Sequence, residues 1–116
     1  MISSPEQLVS LLNKLPSQIR EQDAIFKTKK YELDKAKLSL SLAQSQALLN
    51  SNGNNSVEKK ANAVVETEKE QKEVIEAQKA VDLEESQLEY LNNRFISLRK
   101  ISSIETELIK SQLTGN

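Results

Sequence analysis

Residues 47–57 read Ala47-Leu48-Leu49-Asn50-Ser51-Asn52-Gly53-Asn54-Asn55-Ser56-Val57, a polar turn with a central glycine set between two heptad ladders. Before it, apolar residues recur every seven positions at Leu12, Ile19, Phe26, Leu33, Leu40 and Ala47. After it, a second ladder runs Val74, Val81, Leu88 and Phe95. Each ladder has companions three or four residues on: Leu15, Ala36 and Ala43 in the first, Ala77, Leu91 and Leu98 in the second. This spacing predicts an all-α fold, a long antiparallel helical hairpin of coiled-coil type.

The helix boundaries follow from the residues on either side of the turn. Gly53 suits the left-handed conformation that ends a helix. Asn55 or Ser56 then caps the second helix, and Glu58 complements its dipole. With no Pro or Gly before Gly115, that helix is expected over 57–112, with the tail Leu113–Asn116 frayed. Upstream, Pro16 removes a backbone donor and disfavours helical angles at Leu15. The expectation is a short, kinked helix over 5–13, capped by Ser4 with Pro5 and Gln7 in its first turn, and a long helix over 16–50. All of this belongs to one domain, 1–116.

A fold-back centred on Gly53-Asn54 sets Phe26 near Val81 and Leu33 near Val74. Charge agrees with that pairing. Residues 24–37 carry five lysines against Glu32 and Asp34, a net of +3, and residues 66–89 carry nine acids against three lysines, a net of −6. Lys27 to Lys37 are therefore expected to face the acidic stretch of the second helix. Gln22, Lys29 and Glu84 fall at core-type positions. Such residues either set register and oligomer state or turn out to solvent.

A two-helix hairpin buries one seam and leaves its other faces wet. The first helix carries a second apolar stripe, at Ala24, Tyr31, Leu38, Leu42 and Leu49, which implies a further packing partner. Another copy of the chain is the simplest one, giving a helical bundle or ring with Tyr31, Leu38, Leu42 and Leu49 at the oligomer interface.

Composition closes several functional classes. The 116 residues include no Cys, His or Trp, which removes thiol nucleophiles, Cys-ligated metals and His acid–base chemistry. No phosphate-cradling glycine motif occurs. The carboxylate pairs are those of any solvated helix. A non-enzyme without cofactor or metal is expected. No apolar run approaches a membrane span and no basic-then-apolar leader is evident, so a cytoplasmic protein without membrane contact is expected.

The net charge of −1 hides a local asymmetry. No acid lies between Glu89 and Glu105, where Arg94, Arg99 and Lys100 sit, and the fold-back brings Lys14 and Arg20 near them. The open end of the hairpin is thus net basic, a candidate nucleic-acid contact that an oligomer would repeat.

The segment Tyr90-Leu91-Asn92-Asn93-Arg94-Phe95-Ile96-Ser97-Leu98-Arg99-Lys100 resembles the ending of small helical proteins of tailed-phage replication and recombination modules. Ala36-Lys37-Leu38 through Ala47-Leu48-Leu49, followed by the polar turn and Lys59-Lys60-Ala61, fits the same layout. Those proteins distantly resemble recombination mediators of the UvsY type. The resemblance covers about residues 30–105. It implies a helical homo-oligomer in the host cytoplasm that binds single-stranded DNA and meets a recombinase or a single-strand-binding protein. Arg94, Arg99 and Lys100 are its candidate DNA contacts. The chain departs from that pattern in lacking a general basic excess. The alternative reading is a structural coiled-coil adaptor without nucleic acid. A helical-hairpin secretion substrate normally carries Trp-x-Gly at its turn, where this chain reads Asn52-Gly53-Asn54.

Overall fold

The computed structural model describes residues 4–51 and 55–114. The expected helix end at Gly53 and the last two residues of the tail lie outside them. Among the described residues the chain is helical with no strand: α1 spans Pro5–Asn50, α2 Ser56–Glu66 and α3 Glu68–Thr114. α1 and α3 pack as a hairpin, as the two ladders predict. Every ladder residue and its companion is buried or half-buried.

Ser4 caps the first helix, and of the two candidates Asn55 and Ser56 it is Asn55 that caps the second. The Ser4 hydroxyl accepts from the Gln7 amide at 3.2 Å, and the Asn55 side chain accepts from the Glu58 amide at 2.9 Å. These bonds satisfy amides that the first turn of each helix leaves without an intrahelical partner.

The expected separate helix over 5–13 is not formed; α1 runs unbroken through Pro16. Proline at this site removes the donor that would bond the Leu12 carbonyl. Tertiary packing outweighs that loss, because the preceding residue, Leu15, is 1% exposed. Burying a leucine this fully contributes roughly 1.5–3 kcal/mol, and breaking the helix at 13–16 would pull Leu8 and Leu15 off one face.

The single helix expected over 57–112 is corrected as well. It is two helices, α2 and α3, joined at Thr67 with φ −106 and ψ 21. No Gly or Pro marks the joint. The side chains make it. Thr67 is buried, and its hydroxyl donates to the Ala63 carbonyl at 2.7 Å. The Gln71 side-chain amide donates to the Val64 carbonyl at 2.7 Å and to the Thr67 hydroxyl at 3.1 Å. Side chains bonding into the backbone ladder are a recognised cause of helix kinks. The ladder still crosses the joint, from the Thr67 amide to the Ala63 carbonyl and from the Gln71 amide to the Thr67 carbonyl.

The chain forms two compact units, Met1–Ala24 with Glu85–Asn116, and Ile25–Glu84. In the first, Leu8, Leu15 and Leu98 form the core, with Leu11, Leu12, Leu91 and Phe95 packed against them. In the second, the buried residues are Leu33, Ala47, Ala63, Thr67 and Val81.

The pairing near the turn differs from a symmetric fold-back. Centring on Gly53-Asn54 would set Ser51 opposite Ser56, yet the Asn62 amide donates to the Ser51 hydroxyl at 3.3 Å. α2 therefore begins beyond the end of α1. Its opening residues, Ser56 to Asn62, are all exposed, and Ala63 is the first to turn inward.

Candidate nucleic-acid interface

The basic residues singled out by sequence all belong to the first unit. Lys14 and Arg20 lie on α1, and Arg94, Arg99 and Lys100 on α3. The Leu15–Leu98 core cluster ties the two helices together at this level. Residues 7–20 and 90–104 contain no acid, so the section carries these five cations without a carboxylate of its own. All five are exposed.

The section is a belt rather than a single face. Arg94 and Arg99 are five residues apart on an α-helix, hence about 140° apart around its axis. They flank the seam on opposite sides. Lys100, about 100° beyond Arg99, points away from the seam.

Both arginines are steadied along their own helix. An Arg94 nitrogen donates to the Tyr90 hydroxyl at 3.2 Å, and the Arg99 guanidinium lies 5.8 Å from the centroid of the Phe95 ring. A guanidinium has five in-plane donors. One bond to a phenol, or a ring contact through its π-face, leaves donors directed outward for a phosphate oxygen. Beside Arg99 and Lys100 an open groove along α3 is lined by Ile96, Ser103 and Ile104.

Three lysines of the 27–37 stretch make contacts along α1 itself. Lys29 pairs with Glu32 at 3.4 Å, Lys30 lies 5.3 Å from the Phe26 ring centroid, and Lys35 lies 5.7 Å from that of Tyr31. Each of these partners is three or four residues away on α1, where neighbouring helical turns meet.

The stripe proposed for oligomerisation is open to solvent. Tyr31 is 64% exposed, Leu38 60%, Leu42 59% and Leu49 85%. A comparable face on α3 escaped sequence reading. Tyr90, Arg94, Ser97, Ile101, Ile104 and Leu108 follow a four–three alternation and are all exposed. Its signal was the heptad spacing of Tyr90, Ser97 and Ile104, obscured by the polar members.

Gln22, Lys29 and Glu84 are half-buried at their seam positions. Thr67 and Glu70 join them there. One Glu70 carboxylate oxygen is buried without a hydrogen-bond partner. Continuing the seam's alternation back from Val74 reaches both residues, which an apolar-only reading passes over.

Among the described residues no cluster of three or more acidic side chains is placed to hold a metal ion, and no helix is long and apolar enough to cross a membrane. Compared with protein-family models, curated proteins and solved structures, the chain matches none.

Proposed function

We propose that this protein is a non-enzymatic, self-assembling coiled-coil accessory of recombination or replication, of the phage type. In this reading it contacts single-stranded DNA through the basic belt and meets a recombinase or a single-strand-binding protein. The observation that carries the reading is the acid-free section of the first unit, with Lys14, Arg20, Arg94, Arg99 and Lys100 all exposed. A flexible single strand needs no flat groove. Cations distributed around a narrow helical pair suit a backbone that bends around it.

A few cations per chain bind phosphate weakly, so the reading needs several copies acting together. The exposed stripe Tyr31, Leu38, Leu42 and Leu49 supports that assembly. The structural-adaptor reading has its own support: the net charge is −1, and Arg94 and Arg99 already have intramolecular contacts.

Fluorescence anisotropy with a labelled oligonucleotide across a salt series separates the two. The mediator reading expects binding that weakens log-linearly with salt, by roughly 0.7 in slope for each phosphate contact. Absence of binding even at about 50 mM salt, where counterion release favours association, leaves the adaptor reading standing.

A further inference from the structure

We propose that the outer face of α1 in the second unit is the interface of a two-fold symmetric dimer, with a second copy of the same helix running antiparallel. This deepens the self-assembly part of the proposed function and is independent of its DNA part. The face is built from Tyr31, Lys35, Leu38, Leu42, Ser45 and Leu49, a strict four–three alternation exposed along its whole length. It spans about 27 Å at 1.5 Å per residue. It lies on the side of α1 away from the seam with α3.

Two features select the occupant and its direction. The first is symmetry. Turned antiparallel about the point between Leu38 and Leu42, the stripe matches itself: Leu38 meets Leu42 of the second copy, Lys35 meets Ser45, and Tyr31 meets Leu49. An isologous contact needs such a self-complementary row. The small hydroxyls of Ser39 and Ser41 flank the axis and allow close approach.

The second feature is charge. From Leu38 to Val57 the chain carries no charged residue, whereas Lys27, Lys29, Lys30, Lys35 and Lys37 crowd the preceding turns. A parallel pair stacks Lys35 on Lys35 at a core position. The antiparallel pair sets the lysine-rich end of one copy beside the uncharged end of the other. The last turn of α1 contains no basic residue of its own, so its exposed carbonyls, the negative end of the helix dipole, receive the second copy's lysines. A contact of under three heptads is marginal for isolated peptides. Here the hairpin seam preforms each helix, so the contact carries no nucleation cost.

The chain has no cysteine, which gives site-directed crosslinking a clean background. The proposal expects Ser41→Cys alone to oxidise to a covalent dimer. Lys35→Cys alone and Ser45→Cys alone are expected to stay uncrosslinked, and an equimolar mixture of the two is expected to crosslink. Adding Leu38→Lys and Leu42→Lys to Ser41→Cys is expected to abolish the dimer while circular dichroism keeps its helical signal. Efficient self-crosslinking of Lys35→Cys overturns the antiparallel arrangement. A Ser41→Cys chain that remains monomeric at micromolar concentration, with helicity intact, overturns the interface itself. Oligonucleotide binding measured on the same samples keeps the two readings apart, since a dimer that forms without binding DNA leaves the interface standing and removes only the DNA contact.

Discussion

The side-chain amide of Gln71 donates a 2.7 Å hydrogen bond to the backbone carbonyl of Val64, spanning the joint between α2 and α3. The carbonyl lies on the far side of Thr67, and the bond reaches back two turns of chain to it. Gln71 thus stabilises a helix interruption that has no glycine or proline to explain it. Gln71→Ala removes that donor. The expected loss is about 0.5–1.5 kcal/mol, the usual range for one hydrogen bond. Urea denaturation measures it, and faster hydrogen exchange at residues 68–71 localises it to the joint.

Pro16 offers a test in the opposite direction. It stands inside α1 and cannot donate to the Leu12 carbonyl. Pro16→Ala restores that bond and a good helix former. Since proline in a helix interior costs about 3 kcal/mol against alanine, and the half-buried ring gives back some of this by packing, a gain of about 1–2 kcal/mol is expected. A melting temperature unchanged or lowered would mean that the ring's contacts outweigh the missing bond.

Leu15 is 1% exposed and joins Leu8 and Leu98 in the core of the first unit. Leu15→Ala is expected to cost about 2–5 kcal/mol through reduced transfer energy and a residual cavity. Leu113, 81% exposed near the end of α3, is its control. Leu113→Ala is expected to stay within about 0.5 kcal/mol of wild type. Equal effects in thermal melts would contradict the placement of the core.

Lys29 is half-buried at a seam position and pairs with Glu32 on its own helix. An exposed pair of this kind contributes about 0.2–1 kcal/mol. An apolar side chain at the same position would contribute packing across the seam. Lys29→Leu is therefore expected to raise the denaturation midpoint while making the oligomeric state less uniform, because polar seam residues select among alternative assemblies. Sedimentation velocity before and after the change reads the second consequence, and a urea titration the first.

Changing Arg94, Arg99 and Lys100 together to Ala addresses the belt. All three are exposed, so helicity and oligomer size are expected to persist. Affinity for single-stranded DNA is expected to fall. Its salt slope is expected to flatten by up to about 2, at roughly 0.7 for each phosphate no longer neutralised. A variant binding as tightly as wild type would remove these residues from the interface.

The helix class, the hairpin and both N-terminal caps were legible in the residues. Heptad spacing and capping side chains act over three to seven positions, so a local reading captures them. The basic section was legible too, as a stretch without acids. Its wrapping around the helix pair was not, because linear proximity hides the 100° turn between successive side chains. Three further features were decided by tertiary structure. Helix α1 passes through Pro16 because Leu15 is held in a core with Leu98, a residue distant in sequence. The interruption at Thr67 arises because that side chain is buried and bonds back to Ala63. The pairing beside the turn shows in Asn62 reaching Ser51. A heptad ladder repeats every seven residues, so it admits several alignments of similar quality, and only contacts between the two helices select one of them.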